Sequence, residues 1–196
     1  MIDFWNARYS AAEYVYGTEP NAFFKAQLDQ LTPGRLLLPA EGEGRNAVYA
    51  AKKGWEVVAF DQSDAGQKKA LKLAKETGVS LTYLIKDAMD FDSRTTFDVV
   101  FYGFFHLPPD ALTPLYHHLN TFLKPGGTLL LEGFSKKNLG SGSGGPQNEA
   151  MLFTTESIFY LFDDFTILKV WEEETVLNEG PFHQGSASVI RGVCTK

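Results

Sequence analysis

From residue 35 onward, short runs of Leu, Val, Ile and Phe alternate with longer amphipathic stretches. That rhythm limits the possible folds more than any other feature of the chain. Arg35–Pro39 (RLLLP), Trp55–Phe60 (WEVVAF), Leu81–Ile85, Phe97–Tyr102 (FDVVFY) and Thr128–Glu132 (TLLLE) read as strands. Each is short, apolar and bounded by turn residues. Between them Arg45–Lys53, Asp64–Thr77 and Asp110–Leu123 read as helices. Ser63 or Asp64 caps the second, and Lys124-Pro125-Gly126-Gly127 stops the third. Strands that alternate with helices pair in parallel through right-handed crossovers. The expected class is therefore α/β, with a doubly wound, mostly parallel sheet.

The last third breaks the rhythm. After a short helix at Thr155–Leu161 come two strands, Thr166–Glu174 and Ala187–Thr195, joined by a loop over Val176–Gly185. Two strands with no helix between them predict a hairpin, and so an antiparallel edge. Residues 1–33 form a helical preface, residues 34–196 the core of a single domain, and Gly140–Pro146 (GSGSGGP) reads as a mobile loop. A chain of 196 residues suits one domain and can bury a core without disulfides. The net charge of -6, from 18 Lys and Arg against 24 Asp and Glu, argues against a nucleic-acid partner, which needs clustered positive charge. The single cysteine, Cys194, fits a reducing, cytoplasmic setting. The opening MIDFWNARYS does not read as a signal peptide, and no apolar run approaches the roughly 18 residues of a membrane span.

Chemistry enters at Leu36-Leu37-Leu38-Pro39-Ala40-Glu41-Gly42-Glu43-Gly44-Arg45-Asn46-Ala47, where an apolar strand runs through Gly-x-Gly into a helix. Such a turn lets a ligand approach the backbone, and the helix start offers free N–H groups. Asp61 ends the next strand, seventeen residues after Gly44, where a carboxylate can accept from two ribose hydroxyls. The pairing points to a nucleoside ligand without naming it. Gly42 to Ala47 also fits G-x-G-x-x-A, the dinucleotide fingerprint of a nicotinamide-dependent oxidoreductase. Against that, Glu41 and Glu43 stand where a pyrophosphate wants a neutral or positive lining, and the terminal hairpin is not a second mononucleotide half.

The run GEGRNAVYAAKKGWEVVAFDQS resembles the first two motifs of class I S-adenosylmethionine-dependent methyltransferases. FDVVFYGFFHLPP resembles their fourth-strand motif, and LKPGGTLLLE their turn into strand five. WNARYSAAEYVYGTEPNAFF and LNEGPFHQGSASVIRGV resemble a bacterial subgroup akin to tellurite-resistance and thiopurine methyltransferases. The resemblance implies a Rossmann-like seven-stranded sheet whose last strand inserts antiparallel. It implies S-adenosylmethionine as cofactor, with Ala40, Gly42, Gly44 and Asn46 around its methionine portion. Asp61 would hold the ribose, Gln62, Asp87 and Ala88 would meet the adenine, and Tyr102 would lie under the cofactor. Two positions depart from the family, which has an acid where Leu38 stands and a glycine where Ala40 stands. Those departures leave a third possibility, a non-catalytic adenosyl-binding module.

Other residues complete the expectations. Trp5, Arg8, Tyr14 and Tyr16 cluster in the preface, either as packing or as an aromatic lid over a cationic sulfonium. His106 follows strand four and is the candidate general base or orienter of a methyl acceptor. His183 reads as an exposed loop residue, and Arg191 as an edge-strand charge or an anchor for an anionic acceptor. No metal site is expected. The acceptor is expected to be a small molecule with a soft nucleophile, a thiol or a selenium or tellurium species, because no segment remains to form a macromolecule-recognition domain.

Overall fold

The computed structural model describes residues 2–196, at Ile167 the backbone alone. Seven strands form one sheet: β1 (Arg35–Pro39), β2 (Glu56–Asp61), β3 (Thr82–Ile85), β4 (Phe97–Gly103), β5 (Leu123–Phe134), β6 (Ile167–Asn178) and β7 (Gln184–Thr195). Their order is β3-β2-β1-β4-β5-β7-β6. Strands β1 to β5 pair in parallel, and β7 runs antiparallel to both β5 and β6. The helices are α1 (Ile2–Tyr9), α2 (Ala22–Leu28), α3 (Arg45–Lys52), α4 (Asp64–Thr77), α5 (Pro109–Asn120) and α6 (Thr155–Leu161).

Period-two alternation sends neighbouring strand residues to opposite layers. Leu36 and Leu38 of β1 pack with Phe24 and Leu28 of α2 and Ala47 and Ala50 of α3. Leu37 lies on the other side, in one core with Tyr116 of α5, Ile158 of α6 and Phe162 just after α6. Helices on both faces explain why the central strands are continuously apolar. The order reverses between β1 and β4, and a doubly wound sheet opens a crevice at the carboxyl ends of the strands there.

The structure differs from expectation in four places. Strand β6 runs on to Asn178 and β7 begins at Gln184, so half of the anticipated Val176–Gly185 loop is ladder. Acidic residues on the solvent side of β6 mask its alternation: Val176 is exposed while Leu177 is buried. Helix α5 stops at Asn120, before Leu123, which already pairs with Phe97. Lys196 Nζ donates to the carbonyls of Asn120 and Leu123 at 2.6 and 3.2 Å, satisfying part of that end. Gly140–Pro146 is a packed turn: Ser143 is buried and bonds to Asn138, and Gly145 lies against the Phe134 ring. Finally, the preface is not one unit. Helix α2 belongs to the core, with Phe24 stacked on Phe101 at 4.7 Å, and only the segment before it lies across the strand ends.

Candidate functional site

The crevice is built from the turn after β1. Ala40, Gly42 and Gly44 have φ of 52°, 61° and 84°, a succession of left-handed residues that folds the chain back into α3. A Cβ on Gly44 would sit 2.4 Å from the Cβ of Ala70 in α4, so this glycine allows α4 to pack against the turn. Its Cβ side faces α4, so any contact of Gly44 with the methionine portion would be made by its backbone. A Cβ on Gly42 would lie 2.7 Å from the Tyr9 hydroxyl, so α1 rests directly on the turn. Ala40 takes the left-handed conformation that the family's glycine would occupy more easily.

Asp61 ends β2 and is 8% exposed. Its Oδ2 accepts from the Gly42 amide at 3.0 Å and its Oδ1 from the Ser63 amide at 2.9 Å. Burial raises its pKa, opposed by the amides of Ser63, Gly42 and Gln62. Beside it opens a shallow cleft of about 510 Å³ lined by Ile2, Gln62, Ile85 and Asp87. Gln62 Nε2 donates to Asp87 Oδ2 at 2.5 Å, and the other oxygen of Asp87 accepts from the Met89 amide. Ile85, in the cleft wall, is 49% exposed, and Met89, two residues beyond Asp87, is 52% exposed. Ala88, by contrast, is buried in the core with Phe60 and Phe91, which leaves only its backbone for a ligand.

The acids of the turn divide the work. Glu43 is buried; it accepts from the amides of Val15 and Tyr16 at 2.8 and 3.4 Å and pairs with Lys69 at 2.7 Å. It ties the preface to α4. Glu41 accepts from the Ala47 amide at 2.8 Å and from Asn46 Nδ2 at 3.3 Å. Burial pushes its pKa up to about 7, against the pull of those two donors and of Arg45. Asn46 in turn accepts from the Asn21 amide at 2.9 Å, so it braces Glu41 against the start of α2.

Two expected site residues sit elsewhere. Tyr102 is fully buried, stacked on Tyr116 at 4.4 Å, with its hydroxyl donating to Asn120 Oδ1 at 2.9 Å. It packs in the α5 layer, because the alternation of β4 turns it away from the crevice. His106 is no general base: its Nε2 accepts from the Phe134 amide at 2.9 Å and its Nδ1 lies 2.8 Å from the Met151 carbonyl. An Nε2 that accepts requires the proton on Nδ1, which then donates to Met151, so both ring nitrogens are spent on backbone. Burial depresses its pKa to about 4, keeping it neutral.

A buried polar network that the sequence reading did not anticipate closes the crevice on the β5 side. Glu132, at the end of β5, accepts from Asn21 Nδ2 and pairs with Arg191 at 2.7 Å. Arg191 also pairs with Glu173 at 2.6 Å, so it is an internal tie, not a free anion anchor. Glu179, at the hairpin tip, accepts from Asn21 Nδ2 at 2.9 Å, Arg45 at 2.9 Å and His183 Nδ1 at 3.2 Å. Burial alone would raise the Glu179 pKa, but the His183 and Arg45 donors hold it at about 2. His183 is buried, not exposed, with rings of Tyr16 and Phe104 each 4.5 Å away and Phe134 at 5.2 Å. Its burial lowers its pKa despite Glu179, so the pair is a neutral imidazole beside a carboxylate. The one available signal was register: Glu132 faces Arg191 across the β5–β7 ladder. In the preface, Arg8 lies over the rings of Phe4, Trp5 and Phe182 and donates to the Tyr16 hydroxyl at 3.1 Å.

Residues 39–127, a little under half of the chain, match the model of a family described as a methyltransferase domain. No curated protein matches the sequence. Among solved structures, the protein of a study on conversion of a disulfide bond into a thioacetal group during echinomycin biosynthesis superposes with a TM-score of 0.81 at 16% identity, covering 100% of this chain and 91% of that one. TehB from Haemophilus influenzae superposes with a TM-score of 0.71 at 12% identity, covering 100% of this chain and 66% of TehB. The N-methyltransferase NodS from Bradyrhizobium japonicum, solved with S-adenosyl-L-homocysteine, superposes with a TM-score of 0.69 at 10% identity, covering 100% and 97%. At these identities the likeness speaks for the fold, and the family match adds the domain. The chain thus has the Rossmann-like fold of these structures, and its residues 39–127 are similar to a methyltransferase domain. The nicotinamide alternative finds no second mononucleotide half here, since after β5 the chain returns as an antiparallel hairpin. Among the described residues no helix is long and apolar enough to cross a membrane.

Proposed function

We propose that S-adenosylmethionine lies across the β1 turn, and that the methyl acceptor is a small molecule with a soft nucleophile, a thiol or a selenium or tellurium species. The observation that carries the cofactor placement is the buried Asp61 carboxylate beside a cleft lined by Ile2, Gln62, Asp87 and a bare Ile85. Each Asp61 oxygen spends one lone pair on a backbone amide and keeps another for a ribose hydroxyl. Ile85 offers an apolar bed for the adenine, with Gln62, Asp87 and the Ala88 backbone as its polar edge. Ala40 and Gly42 would line the methionine portion, and Asn46 supports them through Glu41. The segment before α2 acts as a lid, with Tyr9 over Gly42 and Ile2 at the cleft.

The cofactor, when bound, supplies an activated methyl group on a sulfonium. The chain's own contribution is then to position the acceptor and exclude water. Tyr16 and Phe104, packed on His183 and the buried Phe134, give the strand ends beyond β4 and β5 aromatic walls, which suit a cationic methyl donor and a polarizable acceptor. His106 has no free nitrogen to act as a base. His183 donates from Nδ1 to Glu179, which leaves its Nε2 lone pair to take the proton of a thiol. The net charge of -6 and the compact chain favour a small acceptor over a nucleic acid. The single cysteine, buried with its pKa pushed up to about 12, suits the reducing cytoplasm in which we place the protein.

The test is methyl transfer from labelled cofactor to a panel of thiols, selenite, tellurite, phenols, amines, DNA, RNA and cell protein. Labelling of thiols or chalcogen species is expected. Labelling of a macromolecule with no small acceptor modified would overturn the assignment, and labelling of amines or phenols alone would remove the soft nucleophile.

A further inference from the structure

The chain lacks the acid that the family resemblance places at Leu38, and the structure shows why nothing from β1 can replace it. Leu38 is fully buried among Phe24, Leu28 and Ala47 on the α2–α3 side of the sheet. An ammonium held over the turn must find its carboxylate elsewhere. Three acids stand around the turn. Glu43 is turned under it and already carries Lys69 and the amides of Val15 and Tyr16. Asp61 lies on the β2 side and is held by the amides of Gly42 and Ser63. Glu41, directly after Ala40, differs from both. It is half-buried and bonds only to neutral donors at the start of α3, the Ala47 amide and Asn46. Among the described residues no Lys or Arg pairs with it. Its near cation, Arg45, is engaged by Glu179 at 2.9 Å.

A desolvated carboxylate without a cation is costly unless it is protonated or a ligand brings the missing charge. We infer that Glu41 is the counter-charge for the α-ammonium of the cofactor's methionine portion, taking the place of the acid that β1 lacks. This rests on the proposed placement of the cofactor over the turn.

One consequence separates a positioning role from a merely structural one. Before binding, burial holds the Glu41 carboxyl at a pKa of about 7, so near neutrality it is partly protonated. The groups facing it are the amide of Ala47, Arg45 and Asn46 of α3, and Tyr83 of β3. Arg45 is engaged by Glu179 and the buried Tyr83 stays neutral, so neither replaces the incoming ammonium. The ammonium favours the carboxylate, and the proton of Glu41 leaves to solvent. Affinity for S-adenosylhomocysteine should then rise about tenfold from pH 6 to pH 8, with proton release largest near or below pH 7. A ligand with the same adenosine but no amino-acid tail, 5′-methylthioadenosine, should show neither. Any contribution from Asp61 would appear with both ligands.

The experiment is calorimetric titration of the full chain with both ligands, from pH 6 to pH 8, in two buffers of different ionisation enthalpy. The wild type, Glu41→Gln and Asp61→Ala are compared. Expected are pH-dependent binding and proton release for S-adenosylhomocysteine with the wild type, and loss of both in Glu41→Gln. Equal pH dependence for the two ligands, with Asp61→Ala weakening both, overturns the role of Glu41 and leaves the cofactor site standing. Failure of both ligands to bind, or binding indifferent to Asp61→Ala, overturns the site and the inference with it. If Glu41→Gln does not fold, the two-ligand comparison on the wild type decides alone.

Discussion

Replacing His106 distinguishes a brace from a base. In His106→Ala the Phe134 amide, in a fully buried residue, and the Met151 carbonyl lose their partners. A buried group left unpaired costs about 1–3 kcal/mol. The ring also stacks on Phe153 at 4.5 Å, and its removal leaves a void. Together these predict a loss of roughly 2–5 kcal/mol, or about 5–20 °C in Tm for a domain of this size. The pH dependence gives a second handle. The folded-state pKa, about 4, lies below the ordinary 6.5. The unfolded chain therefore binds the extra proton between those values. The stabilisation is complete above about pH 6.5 and is lost as pH falls through 4, about 3 kcal/mol in all. Melts from pH 4 to pH 8 should show this acid-side loss in the wild type and its absence in the variant. Turnover per folded molecule, with S-adenosylhomocysteine affinity, should change only a few-fold. An unchanged Tm with turnover down a hundredfold would refute the brace and restore His106 as a reacting group.

Two further outcomes follow from the same geometry. Glu179→Ala strips the acceptor from Arg45, Asn21 and His183 together and should cost about 3–5 kcal/mol in denaturant melts. Because its pKa lies at about 2, below the ordinary 4.5, its stabilisation is present above about pH 4.5 and is lost as pH falls toward 2. A variant as stable as the wild type at pH 7 would show that the hairpin tip is not held by this network. Gly44→Ala puts a Cβ 2.4 Å from Ala70 at a φ of 84° and should cost at least about 1–3 kcal/mol, read as a lower melting midpoint. A neutral result would mean that α4 can yield there.

The parallel half of the sheet was legible because each central strand is apolar throughout and α3 and α4 end at local glycines, whereas Lys124-Pro125-Gly126-Gly127, read as the stop of α5, lies within β5. Ser63 caps α4 and Gly78 ends it in a left-handed turn, both local signals. Asp61 and the glycine turn were legible for a similar reason, since backbone geometry at the end of a strand leaves a mark within a few residues. What failed depends on distance in sequence. Nothing local to Tyr102 says that its hydroxyl meets Asn120, and nothing local to His106 announces that Phe134 and Met151 consume its nitrogens. His183 and Glu179 looked like loop residues because the contacts that bury them come from Tyr16, Phe104 and Arg45. The close approach of α4 to the bare Cα of Gly44 was likewise invisible, since a glycine that admits a helix looks in sequence like one that admits a ligand.

The central claim is that the β1 turn and Asp61 hold an adenosyl cofactor. Calorimetric titration with S-adenosylhomocysteine tests it most directly, on the wild type and on Asp61→Ala verified as folded by its melt, with NAD as the competing ligand. The account predicts binding of S-adenosylhomocysteine and not of NAD. It predicts an affinity loss of about 1.5–3 kcal/mol, roughly ten- to a hundredfold, in Asp61→Ala. Binding of NAD alone, or an unchanged affinity for S-adenosylhomocysteine in the folded Asp61→Ala variant, would contradict it.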